Sequence, residues 1–283
     1  MPVETGRRSR LAGGFLLASF VLFVILVLVF DKHAPLAKDI ASGLDSFGMP
    51  RPPSWEYPFG TDALGRCLAV RLASGALLSL LTALLATAIA VFVGGAVGLM
   101  AGYAGGRVDS WLMRVVDVVL SFPLLLLGVG IAAALRGRAS GVFPSLFVLG
   151  FVGWPSVARV VRGRARELRE ETYVEAARAL GSPHSRIMLR HILPAMFGPL
   201  FVLTALSFPQ MLLAESTLSF LGLGAPAPMP AWGRMLAEGQ AHLRSAPWMV
   251  AAPGIAILVV SLAFGLLGEG FRRRLDSGAR QRE

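Results

Sequence analysis

The stretch EAARALGSPHSRIMLRHILP, residues 175–194, is basic, helix-patterned and broken in its middle by Gly-Ser-Pro, yet it sits between two long apolar runs. A loop that only joined two spans could be far shorter. Tyr173, Ala176, Ala177 and Leu180 fall at the i, i+3, i+4, i+7 spacing of one helical face. Glu170, Glu171 and Glu175 lie early and Arg178 late, as a helix dipole favours. Gly181 reads as a C-cap, Ser182 as an N-cap and Pro183 as a first-turn residue of a second helix running to Leu193. That helix presents Ile187, Met188, Leu189 and Ile192, with Arg186 and Arg190 one turn apart, and Pro194 marks the entry to the next span. The pattern predicts helix, tight turn, helix. Two roles fit it: an amphipathic hairpin lying on lipid headgroups, or a docking element for a partner in water.

The surrounding composition is that of a membrane protein. Of 283 residues 55% are hydrophobic and 16% charged, with a mean hydropathy of +0.65; soluble domains carry about 25% charged residues. The formal net charge is +10, almost all of it from arginine, since Lys32 and Lys38 are the lysines. The single cysteine, Cys67, excludes an intramolecular disulfide and any multi-cysteine metal site.

Spanning helices need roughly 20 mostly apolar residues. Six stretches qualify, near 13–30, 76–101, 111–134, 142–160, 197–221 and 249–269. The first is read as a retained span, because no small-x-small cleavage site closes it. The fourth, with Gly150, Gly153 and Pro155, is among the shorter ones. With a cytoplasmic N-terminus, 18 of the 27 basic residues lie inside, among them the eight from Arg159 to Arg190. Arg136 and Arg138 fall outside. Both termini and the quoted insert are therefore expected in the cytoplasm. Positive charge that hugs membrane ends in this way gives no support to nucleic-acid binding.

The EAA, Gly181 and Ile192-Leu193-Pro194 pattern resembles the EAA loop of permease subunits in binding-protein-dependent ABC importers. FGTDALGRC at 59–67, DVVLSFPLLLL at 117–127 and LLAESTLSFLGLGAPAPMPAWGRML at 212–236 resemble segments of the C-type permeases of dipeptide, oligopeptide and nickel importers. Together they cover most of the chain. The departures are Cys67 where the family has Asp, Val70 before Arg71 where it commonly has Ser, and Leu77 where Arg is frequent. These are expected on the outer face or at its edge, where they bear on contacts with the binding protein or the partner permease.

The resemblance implies an all-α integral membrane protein with six transmembrane helices, a five-helix permease core plus an extra N-terminal span. Residues 1–30 would form the cytoplasmic N-terminus and first span, 31–75 an extracytoplasmic segment, 76–270 the permease domain with its coupling loop near 162–196, and 271–283 a cytoplasmic tail. Tyr173, Glu175, Ala176, Ala177, Leu180, Gly181, Arg190, Ile192 and Pro194 would form the ATPase-coupling loop. The implied partners are a second homologous permease in a heterodimer, two ABC ATPase subunits, an extracytoplasmic solute-binding protein and membrane lipid, in a bacterial inner membrane. Di- or oligopeptides are the implied cargo, with a nickel complex or another small solute as the alternative. No cofactor is expected on this chain, and ATP and Mg would sit on the ATPases.

The residues themselves carry no enzyme. Neither lysine lies in a Gly-x-x-x-x-Gly-Lys-Ser/Thr phosphate loop, and there is no His-Glu-x-x-His. His33, His184, His191 and His242 are scattered without carboxylate or thiolate company. Intramembrane charges are functional candidates by default. Asp117 in the third span and Glu215 beside Ser216 in the fifth are therefore candidates for the translocation path or a gate. The plainer reading pairs Asp117 with Arg114 or with a group at the cytoplasmic end, and has Glu215 holding two helices together. Gly94, Gly95, Gly98 and Gly102 have helix-packing spacing, and Trp232 and Trp248 suit a membrane interface. A solitary secondary transporter or channel is the rival reading, although no internal repeat of the kind such proteins show is visible. A scaffold with a lipid-lying hairpin is the third.

Overall fold

The computed structural model describes residues 2–30, 40–135, 143–226 and 228–280. Five helices in it are long and apolar enough to cross a membrane: Gly6–Phe30, Leu68–Ala104, Ser145–Arg169, His184–Phe220 and Trp248–Leu275. They lie within α1 (Pro2–Phe30), α3 (Leu68–Ala104), α6 (Phe143–Arg169), α9 (Leu193–Phe220) with the turns before it, and α11 (Trp248–Arg280). The short α2 (Ile40–Gly43) follows α1. The expected span 111–134 is not one helix. It divides into α4 (Gly106–Ser121) and α5 (Leu124–Leu135), because Pro123 disfavours a helical conformation at Phe122, which is extended at φ −86°, ψ 136°. The pair stands in the chain where the third of the six expected spans falls, within an all-α fold.

The fourth expected span, short in the sequence, lies in a full 27-residue helix that passes through Pro155. Its glycines face neighbours: Gly150 lies against Ile89, and Gly153 against Ala90 and Met211. The fifth expected span begins earlier than its apolar run. α8 (His184–Ile187), a π-turn at Met188–Ile192 and α9 form one 37-residue helix, so Pro194 follows the π-turn without breaking the rod. At 1.5 Å per residue that rod and α3 each reach roughly 55 Å, well beyond about 30 Å of hydrocarbon. Both must project into water.

Membrane helices gain nothing by hiding apolar surface from lipid, so close backbone approach decides which of them pair. On α3 the stripe Gly94, Gly98, Gly102 meets α6 at the carbonyl oxygens of Trp154, Ala158 and Arg162, and a Cβ on any of the three would come within 2.5 Å of its oxygen. Gly95 points elsewhere, with Leu200 4.0 Å from an added Cβ. Residues Ala76, Ala83, Ala86 and Ala90 of α3 join Val148 and Val152 of α6 and Leu212 and Leu218 of α9 in the main buried cluster. The added N-terminal helix uses the same device: Gly13 of α1 abuts the carbonyl of Ala263 on α11.

The stretch after α9 is more than a proline-rich loop. It contains α10 (Trp232–Gln240), packed on α9 and α11. Trp232 is fully buried rather than interfacial: its indole N–H donates to Leu72 O at 3.0 Å and its backbone N–H to Ser79 Oγ at 3.1 Å. Trp248 is half-buried and donates to Thr61 O at 3.1 Å. Cys67 and Val70 are buried with Tyr57 and Ala69, so these two departures sit in the interior and not on an outer contact face. Leu77 is exposed. Arg136 and Arg138 lie outside the described residues.

Candidate functional site

Beyond the end of α6, Glu171 opens α7 (Thr172–Ala179) in extended conformation. The helix closes as the sequence predicts at Gly181, whose φ of +76° is a left-handed conformation that suits glycine. The amide of Gly181 donates to Arg178 O and that of Ser182 to Ala177 O, satisfying the last turn. The next helix starts one residue later than expected. Pro183, not Ser182, occupies the N-cap, and Ile187 N donates to Pro183 O.

The apolar stripe read from the sequence divides between two faces. Val174 and Ala177 turn inward against Leu99, Tyr103, Val161, Leu168, Ile187 and Ile192. Tyr173, Ala176 and Leu180 turn outward, and Leu180 is 86% exposed. Partial burial, with Glu171 nearby, raises the Tyr173 phenol above its ordinary value. Glu175 is also exposed and borders a polar cleft of about 350 Å³ shared with Arg166, Arg169, Arg178 and the Gly105–Gly106 turn. Ile192 is buried, and Arg190, like Pro194, belongs to the continuous rod. Tyr103 on α3 and His184 on α8 share a hydrogen bond of 2.7 Å, a second tie between this hairpin and the bundle. His184 and His191 both lie on the rod that begins at His184, and among the described residues no group of three potential ligands could hold a metal.

At the same end, α4 is tied to α6 by two ion pairs. Arg162 holds Asp109 through two contacts at 2.5 and 2.6 Å, and Arg159 holds Asp117 at 2.7 Å. Asp117 thus pairs across helices rather than with Arg114.

At the opposite end a buried charge cluster joins the segment before α3 to α10. Asp62 receives the Arg66 side chain at 2.6 Å and contacts Arg71, while Arg71 also reaches Glu238 at 2.8 Å. Asp62 is 1% exposed, as is Arg71, and Arg234 completes the group on Glu238 at 3.1 Å. The sequence gives a local signal for the Asp62–Arg66 and Arg234–Glu238 pairs, four residues apart each, but none for Arg71–Glu238. Glu215 and Ser216 are buried beside this region. Ser219 Oγ donates to Glu215 Oε1 at 2.7 Å, and Gly233 of α10 lies so close to the Ser216 carbonyl that any side chain there would collide.

Residues 94–281 match the family described as the inner membrane component of binding-protein-dependent transport systems. The chain is 36% identical to the dipeptide transport system permease protein DppC of Alkalihalophilus pseudofirmus, over 95% of this chain and 86% of that one. It is 32% identical to the oligopeptide transport system permease protein OppC of Bacillus subtilis, over 92% and 85% respectively. It is 36% identical to the glutathione transport system permease protein GsiD of Escherichia coli O6:K15:H31, over 92% and 84%. A multi-pass helical bundle, a short surface helix fastened to it by Val174 and Ala177, and matches of this length converge on one conclusion: the chain belongs to the permease family of binding-protein-dependent transport systems.

Proposed function

We propose that this chain is one permease of a peptide importer, paired with a second, homologous permease, fed by an extracytoplasmic solute-binding protein and driven by two ATPase subunits that bind ATP and Mg. The relatives' names favour di- or oligopeptides as cargo. In this reading both termini and α7 face the cytoplasm, residues 31–75 face outward, residues 76–270 are the permease domain, and the loop near 162–196 docks on an ATPase.

The observation that carries the reading is the division of α7 into two faces. Val174 and Ala177 lock the helix to the bundle, leaving Tyr173, Ala176 and Leu180 outward as a small uncharged patch beside Glu175. Such a helix can receive a push from a soluble partner without sliding on its base. The continuous rod from His184 to Phe220 then carries the displacement to Glu215 and Ser216, beneath α10 at the other end. Glu215 would act there by holding α9 to its neighbours rather than by touching cargo, since it is 2% exposed.

Affinity purification of the tagged chain in mild detergent tests the assembly. A second permease and P-loop ATPases should copurify, and the complex should hydrolyse ATP. Recovery of the chain alone, or as a homo-oligomer after crosslinking in cells, would favour a solitary transporter.

A further inference from the structure

Part-way along α6 and α9 stand polar side chains that no other described residue satisfies. Ser156 on α6 and Ser207 and Gln210 on α9 line a groove of about 240 Å³ between α5, α6 and α9, with Val152, Leu206 and Met211 among its apolar walls. Ser156 and Gln210 are exposed and Ser207 is half-buried. Among the described residues none of these three side chains makes a hydrogen bond, although α9 hydroxyls elsewhere, those of Thr204 and Thr217, donate to their own helix. Ser156 lies near the centre of the Ser145–Arg169 span, and Ser207 and Gln210 lie within the apolar part of the His184–Phe220 rod.

A primary amide or hydroxyl turned toward hydrocarbon without a partner is strongly unfavourable. This face therefore meets water, cargo or another protein. Two prolines sharpen the point. Pro155 and Pro209 stand immediately before Ser156 and Gln210 inside their helices, and each leaves the carbonyl four residues back, Phe151 or Ala205, without its in-helix donor. One turn along the same face of α6 from Ser156, Arg159 makes its ion pair with Asp117, and both partners are more than half exposed. Such a pair also belongs on a wetted surface.

Among the described residues no ionisable side chain lines the groove. Its polar atoms are amide and hydroxyl groups, which donate and accept as a peptide bond does, and its walls are apolar. We propose that the α5–α6–α9 groove is this chain's wall of the translocation path, and that Gln210, assisted by Ser156 and Ser207, hydrogen-bonds the backbone amides of a peptide crossing it. The proposal rests on the importer reading and assigns the path within it.

The test uses the whole importer in proteoliposomes, with Cys67→Ser removing the buried native thiol. Single cysteines replace Ser156, Ser207 or Gln210, and Leu258→Cys on α11, 64% exposed in the described structure, is the control. A small hydrophilic methanethiosulfonate cation should modify the three groove positions at least about tenfold faster than position 258. Peptide-loaded binding protein should slow that modification. In parallel, Gln210→Ala should raise the KM for peptide several-fold while ATPase copurification stays unchanged. Modification no faster than at position 258 would overturn the proposal, as would unreactive groove cysteines that form disulfides with the second permease. Fast modification that peptide does not slow, in a complex that transports peptide, would overturn the cargo contact. A complex without ATPases would instead refute the importer reading, which copurification reports separately.

Discussion

The hydroxyl of Tyr103, near the end of α3, lies 2.7 Å from Nδ1 of His184, the first residue of the helical rod that leaves the α7 turn. One bond thus links the helix that carries the glycine stripe to the 37-residue rod that runs on into α9. A typical hydrogen bond of this kind contributes about 1 kcal/mol net. Tyr103→Phe should therefore leave the chain folded but loosen the hairpin. Amide hydrogen exchange should quicken between residues 172 and 187 and stay unchanged in α11.

The contact of Gly98 with the Ala158 carbonyl is less forgiving. Gly98→Leu must push α6 away from α3, and overpacking of this sort costs about 1–3 kcal/mol. The detergent-solubilised chain should melt several degrees lower. Gly95→Ala, one residue after Gly94 but off the stripe, with Leu200 at an ordinary contact distance of 4.0 Å from the added Cβ, should melt like the parent.

Arg71 tests the buried cluster. Arg71→Leu removes one partner of Asp62 and Glu238, and breaking a buried pair from one side costs about 3–5 kcal/mol. Denaturation or protease resistance should register the loss, and the region of α10 should open first. Arg71→Met combined with Glu238→Gln should recover part of it, because fewer charges are then left unmatched.

On α7 the two faces should respond differently to the same insult. Ala176→Arg, on the outer face, should abolish ATPase copurification while insertion and melting stay as in the parent. Ala177→Arg, on the inner face, should destabilise the chain itself, since that side chain is buried among Val174, Leu99 and Ile187. Equal effects of the two substitutions on stability would contradict the division of faces.

Long apolar runs made α1, α3 and α11 legible in the sequence, and local capping chemistry made the turn at Gly181 legible too. What the sequence obscured was decided by distant residues. The stripe through Tyr173 and Leu180 reads as one face offered to a partner, but Ala177 turns inward from it and joins Val174, which packs with Leu99 and Ile187. Trp232 has the composition of an interfacial residue, yet Leu72 and Ser79, far off in the chain, supply partners that bury it. Asp62 stands in a recognisable motif, whereas its link through Arg71 to Glu238 closes over more than 160 residues. The helix break at Pro123 was written locally; a long apolar run masked it. Unpartnered Gln210 carries no sequence signal at all, since only packing shows which neighbours it lacks.

A photoreactive benzoylphenylalanine in place of Leu180, in intact membranes with the complete complex expressed, reports what α7 docks on. Illumination should yield one adduct with a P-loop ATPase subunit, identified by mass spectrometry, and it should vanish when Ala176→Arg is added. Adducts with lipid alone, from a chain that is inserted and folded, would show α7 to be a headgroup-lying hairpin and contradict the account.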